Sequence, residues 1–321
     1  MIKMAFRDLS FDSDIDTKEI AKFLENSNNV TTDSYTLVPP NRLEEMKNWP
    51  SEWVLLRQDQ KLIALLVSFE FTCVLDDRIE KVGHTAFLAV KPKYRKKGFA
   101  KRCIQEVKRR AGLREIYTEY HISDRMIGSN AIPITAWLRP LNVEECHHLG
   151  MTLPLKEYPI VKADEWGFRK SNSDDTGIQK LLQKYPVRLK EWNFPGCNIR
   201  TILYRFKRTD LAGATPAAEG CELYQYDPVA YISYHFVSVY FKANQQTYEI
   251  PLVDWFFGSA IALTFALSQF GQVPFVYFHQ MGPLTEKLLQ SVSASPVSKR
   301  YLNWYNWSRH WTADKICLPL Y

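Results

Sequence analysis

The stretch from His84 to Ala111 constrains the fold more than any other. His84–Val90 (HTAFLAV) is apolar and β-rich, which predicts a buried strand. Farther on, Ala100, Cys103, Ile104, Val107 and Ala111 recur at helical spacing, which predicts an amphipathic helix. Between them lies Arg95-Lys96-Lys97-Gly98-Phe99-Ala100, an R-x-x-G-x-[G/A] loop. A strand, a short loop with small residues and a helix N-terminus together make a cradle for a pyrophosphate. The first-turn N–H groups point outward, and the helix dipole adds roughly half a positive charge. Gly98 and Ala100 suit that role because a bulky side chain would hold the phosphates off the backbone. A solvated basic helix face is the plainer alternative for the same residues.

The charge distribution favours the cradle. The chain has 321 residues and a formal charge of +6, yet residues 91–110 alone hold ten Lys or Arg against one Glu. Everything outside that window is net acidic, so the positive balance belongs to one local anion site and not to a basic surface at large. No recognisable nucleic-acid module surrounds it, and nucleic acid is not an expected partner.

Composition narrows the class. With 46% hydrophobic and 14% aromatic residues the chain can bury enough surface to fold nearly end to end. Its length suits two domains or one large fused one. The six cysteines form no C-x-x-C pair, so zinc-ribbon and thioredoxin-type sites have no support, and no metal is expected. The N-terminus is acidic within a few residues and has no apolar signal core. Trp255–Leu267 is an uncharged run of 13 residues, short of the ~20 that span a bilayer, and reads as a buried helix. These features predict a soluble, cytoplasmic protein without a transmembrane segment.

The strand–loop–helix unit resembles the coenzyme A-binding motif of the GNAT-type acyltransferase superfamily. AFLAVKPKYRKKGFAKRCIQEVKRR is similar, more narrowly, to the segment of N-myristoyltransferases with an FLxV strand, an Arg/Lys loop and a helix ending in two arginines. Two further landmarks follow in order. Tyr117-Thr118 and then Trp137-Leu138-Arg139-Pro140-Leu141-Asn142 resemble that family's strand Tyr-Thr and its W-H-R-x-L-N run. Arg300-Tyr301-Leu302-Asn303-Trp304-Tyr305-Asn306-Trp307, followed by Lys315-Ile316-Cys317-Leu318, resembles its Y-Y-L-Y-N-W segment and apolar tail. There are departures: Ala86 stands for the family's Asn, Leu138 for its His, and Glu25-Asn26-Ser27-Asn28-Asn29 for its acidic loop.

The resemblance implies an α/β (α+β) fold of two fused GNAT-like halves around one continuous, mixed, saddle-shaped sheet. Residues 1–161 would be the acyl-CoA-binding half and residues 162–321 the peptide-binding half, the polar Lys162–Asp175 stretch lying between them and a helical pattern starting at Gly177–Tyr185. Further strands are expected at Trp53–Leu56, Leu62–Phe71, Val229–Phe241 and Val273–Phe278, with a loop at Thr209–Gly220.

The implied activity is transfer of a long-chain acyl group, myristoyl by family, from acyl-CoA to the N-terminal glycine of peptides or proteins by a monomer. Phe87, Leu88, Ala89, Val90 and the loop Arg95, Lys96, Lys97, Gly98, Phe99 and Ala100 would bind the acyl-CoA. The backbone N–H groups of Phe87 and Leu88 would stabilise the oxyanion. The terminal carboxylate at Tyr321 would take the amine's proton. Thr118 would lie near the amine, or be structural, and Tyr35, Leu37 and Tyr117 would line the peptide's entry, or pack under a loop. Two other activities fit the cradle: an acetyltransferase acting on a small amine or lysine, and a family member that binds acyl-CoA without turnover.

Overall fold

The computed structural model of the chain describes residues 9–12, 14–28, 34–127, 130–154, 158, 166–170, 180–190, 199–205, 228–271, 273–307 and 311–318. The elements run β1 (Leu9–Asp12), α1 (Thr17–Asn28), β2 (Ser34–Leu37), α2 (Pro40–Lys47), β3 (Ser51–Gln58), β4 (Lys61–Leu75), β5 (Arg78–Val90), α3 (Phe99–Leu113), β6 (Thr118–Ser123), β7 (Ile132–Pro140) and α4 (Val143–His148). They continue with β8 (Trp166–Lys170), β9 (Val187–Leu189), β10 (Ile199–Arg205), β11 (Pro228–Phe241), β12 (Gln246–Phe257), α5 (Ala260–Ser268), β13 (Phe275–His279), α6 (Glu286–Ser291), β14 (Ser295–Tyr305) and β15 (Ile316–Cys317).

All fifteen described strands join one mixed sheet, whose main path is β1-β3-β4-β5-β6-β14-β7-β13-β12-β11-β10-β8. Strands β3, β4 and β5 are joined by two-residue turns at Asp59-Gln60 and Asp76-Asp77, where all four residues have positive φ. Such turns match the twist of a hairpin, and Asp tolerates the left-handed region better than most residues. The next connection must differ, because β5 and β6 are parallel and need a crossover, which α3 supplies. The same grammar recurs later: β10, β11 and β12 are antiparallel neighbours, β12 and β13 are parallel, and α5 makes the crossover.

The path is a palindrome with its centre at β14 and β7. Each is antiparallel to a strand far from it in sequence, β14 to β6 and β7 to β13, and they pair with each other. The last strand of each run of elements thus lies beside the other run's strands.

Helix α3 buries Phe99, Cys103, Val107 and Ala111 over β3 and β4, packing on Val54, Leu56, Ile63 and Leu66. Cys103, Val107 and Ala111 belong to the expected face, whereas Ala100 and Ile104 of that face are half-buried. Helix α1 starts at Asp16, whose carboxylate accepts from Lys18 and Glu19 N–H, and turns Ile20, Phe23 and Leu24 onto the opposite face of the same strands. Alternate side chains of β3 and β4 therefore enter two different cores.

Three expectations need correction. The uncharged run at Trp255–Leu267 is not one helix: its first residues end β12, and the helix starts only after Ser259, whose hydroxyl accepts from Ala262 N–H. Helix α5 is nevertheless buried on nearly all sides, as its lack of a polar face requires. Glu25–Asn28 do not form a loop but the last turn of α1, since Asn26 Nδ2 reaches back to the Lys22 carbonyl. The polar stretch between the halves contains a strand, β8, which pairs with β10. Of the helical pattern at Gly177–Tyr185, residues 180–182 are helical, and Thr209–Gly220 lies outside the described residues.

Candidate functional site

Strands β5 and β6 pair only at Val82–His84 with Thr118–Tyr120, and then part. The parting coincides with a bulge: Ala86 faces Val67 of β4 and Ala89 faces Leu65, so Phe87 and Leu88 together oppose one residue. Phe87 takes φ +54°, which for a bulky residue is a strained conformation costing ~1–3 kcal/mol. The bulge turns backbone groups of Phe87 and Leu88 out of the ladder, toward a cavity of about 620 Å³ that fills the opening. The cavity's other walls are Ile104 and Val107 of α3, Glu119 and His121 of β6, and Arg300 and Tyr305 of β14.

The basic loop sits where β5 ends. Gly98 has φ +82°, nothing lies within 4 Å of where its Cβ would be, and it provides no side chain to cap α3. The helical ladder starts with Arg102 N–H to the Gly98 carbonyl at 3.2 Å, so the N–H groups of Phe99, Ala100 and Lys101 precede it. That is the geometry of an anion site at a helix N-terminus.

The cations around it divide into two sets. Lys96 and Lys97 are exposed beside Gly98, and Lys93 and Lys97 lie over the ring of Tyr94, 4.9 and 5.6 Å from its centroid. Arg109 and Arg110, by contrast, grip Glu106, and Arg110 also bonds Glu52 at 2.9 Å. The two guanidiniums, Arg109 foremost, hold the Glu106 carboxyl down at about 2. The basic window is therefore not one anion site: Arg109 and Arg110 at its end are paired with carboxylates within the fold. Arg95 also departs from a pure ligand role, donating to the carbonyls of Val90 at 3.1 Å and Ser27 at 2.5 Å, which ties the loop to α1. Phe99 is buried in the α3 core, leaving only its backbone facing the loop. Ala100 is half-buried in the first turn, while Ala89 and Val90 carry the β5 ladder on past the bulge.

Other expected residues lie elsewhere. Thr118 is buried beside Val82, and by strand alternation its side chain is on the face opposite Glu119. Tyr117 is exposed, and its carbonyl accepts from Asn306 Nδ2. The backbones of Tyr35 and Leu37 pair with Tyr240 and Ser238 of β11, away from the strands that wall the cavity. Tyr321 lies outside the described residues, although Ile316, Cys317 and Leu318 before it are buried in the core.

Sequence reasoning missed the polar wall. Glu119 is only 4% exposed, and its Oε1 has no hydrogen-bond partner among the described residues. Burial raises its pKa, with Lys108 pulling the other way. His121 stacks on Tyr305, and burial followed by Lys108 lowers its pKa. Asn303 braces the rim: its side chain donates to Ser123 Oγ and Arg125 O and accepts from Ile127 N–H. The alternating polar residues of Thr118–Ser123 were the available signal, and alternation alone is equally well a solvated strand face. The Trp137–Asn142 run proves structural: Arg139 is buried and bonds the Val292 carbonyl at 2.7 Å, and Asn142 caps α4.

Residues 3–131 match the family model of the myristoyl-CoA:protein N-myristoyltransferase N-terminal domain. No curated protein sequence matches the chain. Crystal structures of Saccharomyces cerevisiae N-myristoyltransferase with bound myristoyl-CoA share the fold. One has a TM-score of 0.75 at 12% identity, over 99% of this chain and 86% of that one. Another has a TM-score of 0.71 at 13% identity, over 95% and 84%. A third, with bound myristoyl-CoA and inhibitors, has a TM-score of 0.75 at 12% identity, over 99% and 88%. The phosphate-ready helix and most of the cavity wall fall within the matched segment, while Arg300 and Tyr305 of the cavity lie outside it. Over residues 3–131 the chain is similar to the N-terminal domain of N-myristoyltransferases, and its fold is the one seen in the Saccharomyces cerevisiae structures.

Proposed function

We propose that the chain is an acyl-CoA-dependent N-acyltransferase that moves a long-chain acyl group, myristoyl by family, to the N-terminal glycine of peptides or proteins. One observation carries this reading: the exposed first turn of α3, the Phe87–Leu88 bulge and the cavity follow one another along β5. That is the order of pyrophosphate, thioester and acyl chain in an acyl-CoA. The first-turn N–H groups with Lys96 and Lys97 would hold the phosphates. Ala89 and Val90 would flank the pantetheine arm.

The glycine nitrogen attacks the thioester carbon. As the C–N bond forms, the carbonyl oxygen gains charge, and the N–H groups of Phe87 and Leu88 stabilise it. The C–S bond then breaks, and CoA leaves as a thiolate that takes up the second proton, the one the nitrogen sheds as it becomes an amide. Before attack the α-ammonium must lose a proton, and with a pKa of about 7.7 to 8.0 it needs only a modest base. The resemblance assigns that base to the carboxylate at Tyr321, and the buried Ile316–Leu318 supports a tail that enters the core. Thr118 is read as a positioning residue near the amine. Tyr35, Leu37 and Tyr117 are read as peptide-facing, and the uncharged Asn26-Ser27-Asn28 turn supports weak selection for basic peptides.

We divide the chain at residues 161 and 162 into an acyl-CoA half and a peptide half, acting as a monomer. Cys73, Cys103, Cys146 and Cys317 are free and buried, which suits a reducing compartment, and we assign the reaction to the cytoplasm. The test is incubation of the full chain with labelled myristoyl-CoA and glycine-initiated peptides, read by mass spectrometry. Acyl transfer to the glycine nitrogen is expected. No transfer to any peptide, together with no measurable affinity for acyl-CoA, overturns the reading.

A further inference from the structure

An acyl group whose thioester lies at the Phe87–Leu88 bulge, with its phosphates at Gly98, extends the other way along β5, toward the point where β5 and β6 begin to pair. At that end the wall is not hydrocarbon. Glu119 pairs in register with Gly83, and Gly83 makes room for it: a Cβ there would lie 2.9 Å from Ser68 Oγ and 3.0 Å from Glu119 Cγ. The Glu119 carboxyl is sequestered from solvent with Oε1 unbonded among the described residues, and the neighbouring His121 Nδ1 is likewise unbonded. A saturated chain packed against Glu119 and His121, which both line the cavity, would shut them further from water and offer neither a hydrogen bond. A ligand that donates a hydrogen bond at this depth would remove the penalty. The donor should be neutral, because Arg300 lines the same cavity and Lys108 lies close enough to bias both Glu119 and His121. A hydroxyl meets both demands, since it can donate to the Glu119 carboxylate and accept from, or donate to, the His121 ring.

We infer that the acyl site selects a long-chain acyl group bearing a hydroxyl, held by Glu119, over the plain saturated chain of the same length. This rests on the acyl-CoA reading above and specifies its substrate.

The experiment is calorimetric titration of the full chain with myristoyl-CoA and with a series of hydroxymyristoyl-CoAs substituted at successive carbons. It is run on the wild type, Glu119→Leu and Glu119→Gln. At least one hydroxylated isomer should bind the wild type about tenfold more tightly than myristoyl-CoA. Glu119→Leu should erase that gain, and Glu119→Gln, which keeps an acceptor, should retain most of it. Equal or tighter binding of myristoyl-CoA against every isomer overturns the inference and leaves the acyl-CoA reading standing. A hydroxyl preference that survives Glu119→Leu overturns the role of Glu119. Failure of the wild type to bind any acyl-CoA overturns both readings. Should Glu119→Leu not fold, the wild-type ranking and Glu119→Gln decide.

Discussion

The two parallel crossovers of the sheet share a plan and differ in what fills them. At β5–α3–β6 the bulge exposes backbone at Phe87 and Leu88, the helix begins uncapped, and a cavity separates the strands. At β12–α5–β13 there is also a bulge. Val253 faces Tyr234 and Trp255 faces Ser233, so Asp254 is the extra residue. It points into the protein, where Oδ2 accepts from Ser233 Oγ at 3.1 Å and Oδ1 lies 3.0 Å from His235 Nδ1. The following helix is capped by its own Ser259 and buried nearly all round. One crossover leaves its backbone open to a cavity, and the other satisfies the same positions from within the chain. The comparison teaches that a bulge and a helix N-terminus make a binding site only where the sequence withholds its own caps and packing.

The largest effect should come from opening the filled crossover. Asp254→Ala would strand Ser233 and His235 in the core and cost about 3–5 kcal/mol, as when one partner of a buried pair is lost. Urea denaturation measures it, and an unchanged midpoint would mean the second bulge is idle. In the open crossover, Lys96→Ala with Lys97→Ala should weaken CoA binding by about 2–4 kcal/mol, two charge-assisted contacts with some overlap, and leave stability nearly unchanged. Calorimetry with CoA tests this, and equal losses of stability and affinity would show that the loop is merely structural.

The next effect is pH-dependent. His279, at the end of β13, is half-buried with its Nδ1 shut off from solvent, and desolvation of the ring, followed by Arg300 and His235, holds its pKa down to about 4. The unfolded chain, with a histidine pKa near 6.5, binds the proton first, so stability is lost as the pH falls from about 6.5 toward 4. At pH 5 the loss relative to pH 7 is about 2 kcal/mol from this residue. His279→Gln should flatten that part of the stability–pH curve, and a curve of unchanged slope would contradict the assignment. The smallest effect is Ser259→Ala, which should cost about 1 kcal/mol of stability through the lost cap and leave CoA affinity unchanged.

The open crossover was legible in sequence because its parts are contiguous. From His84 to Ala111 strand, loop and helix each announce themselves within a few residues, and Gly98 marks the one position where positive φ and open space are both needed. Glu119 and His121 were not legible, because their meaning depends on β5 leaving β6 after His84, which no local pattern records. The division within Trp255–Leu267 was hidden for another reason: strand end and helix are both apolar, so only Gly258-Ser259 separates them. Charge was legible as an amount and only partly as an arrangement: the helix alone brings Arg109 and Arg110 to Glu106, three and four residues away, whereas Arg110 finds Glu52 only once α3 lies on β3. The palindromic strand order leaves no trace in the sequence, because it depends on pairing between strands far apart in the chain.

The exchange of central strands bears on how the chain is made. Strand β6 is complete at Ser123, but the partner on its open side, β14, begins only at Ser295. At the ribosome's pace of 5–20 residues per second, some 170 residues separate the two by roughly 10–30 seconds. For that interval the nascent protein carries an unpaired edge beside its half-built cavity, and a bare edge is a template for adhesion to other chains. Synthesis of this molecule is therefore a period of exposure that ends only when its final strands emerge, and a chaperone that shields the edge of β6 would act within that window.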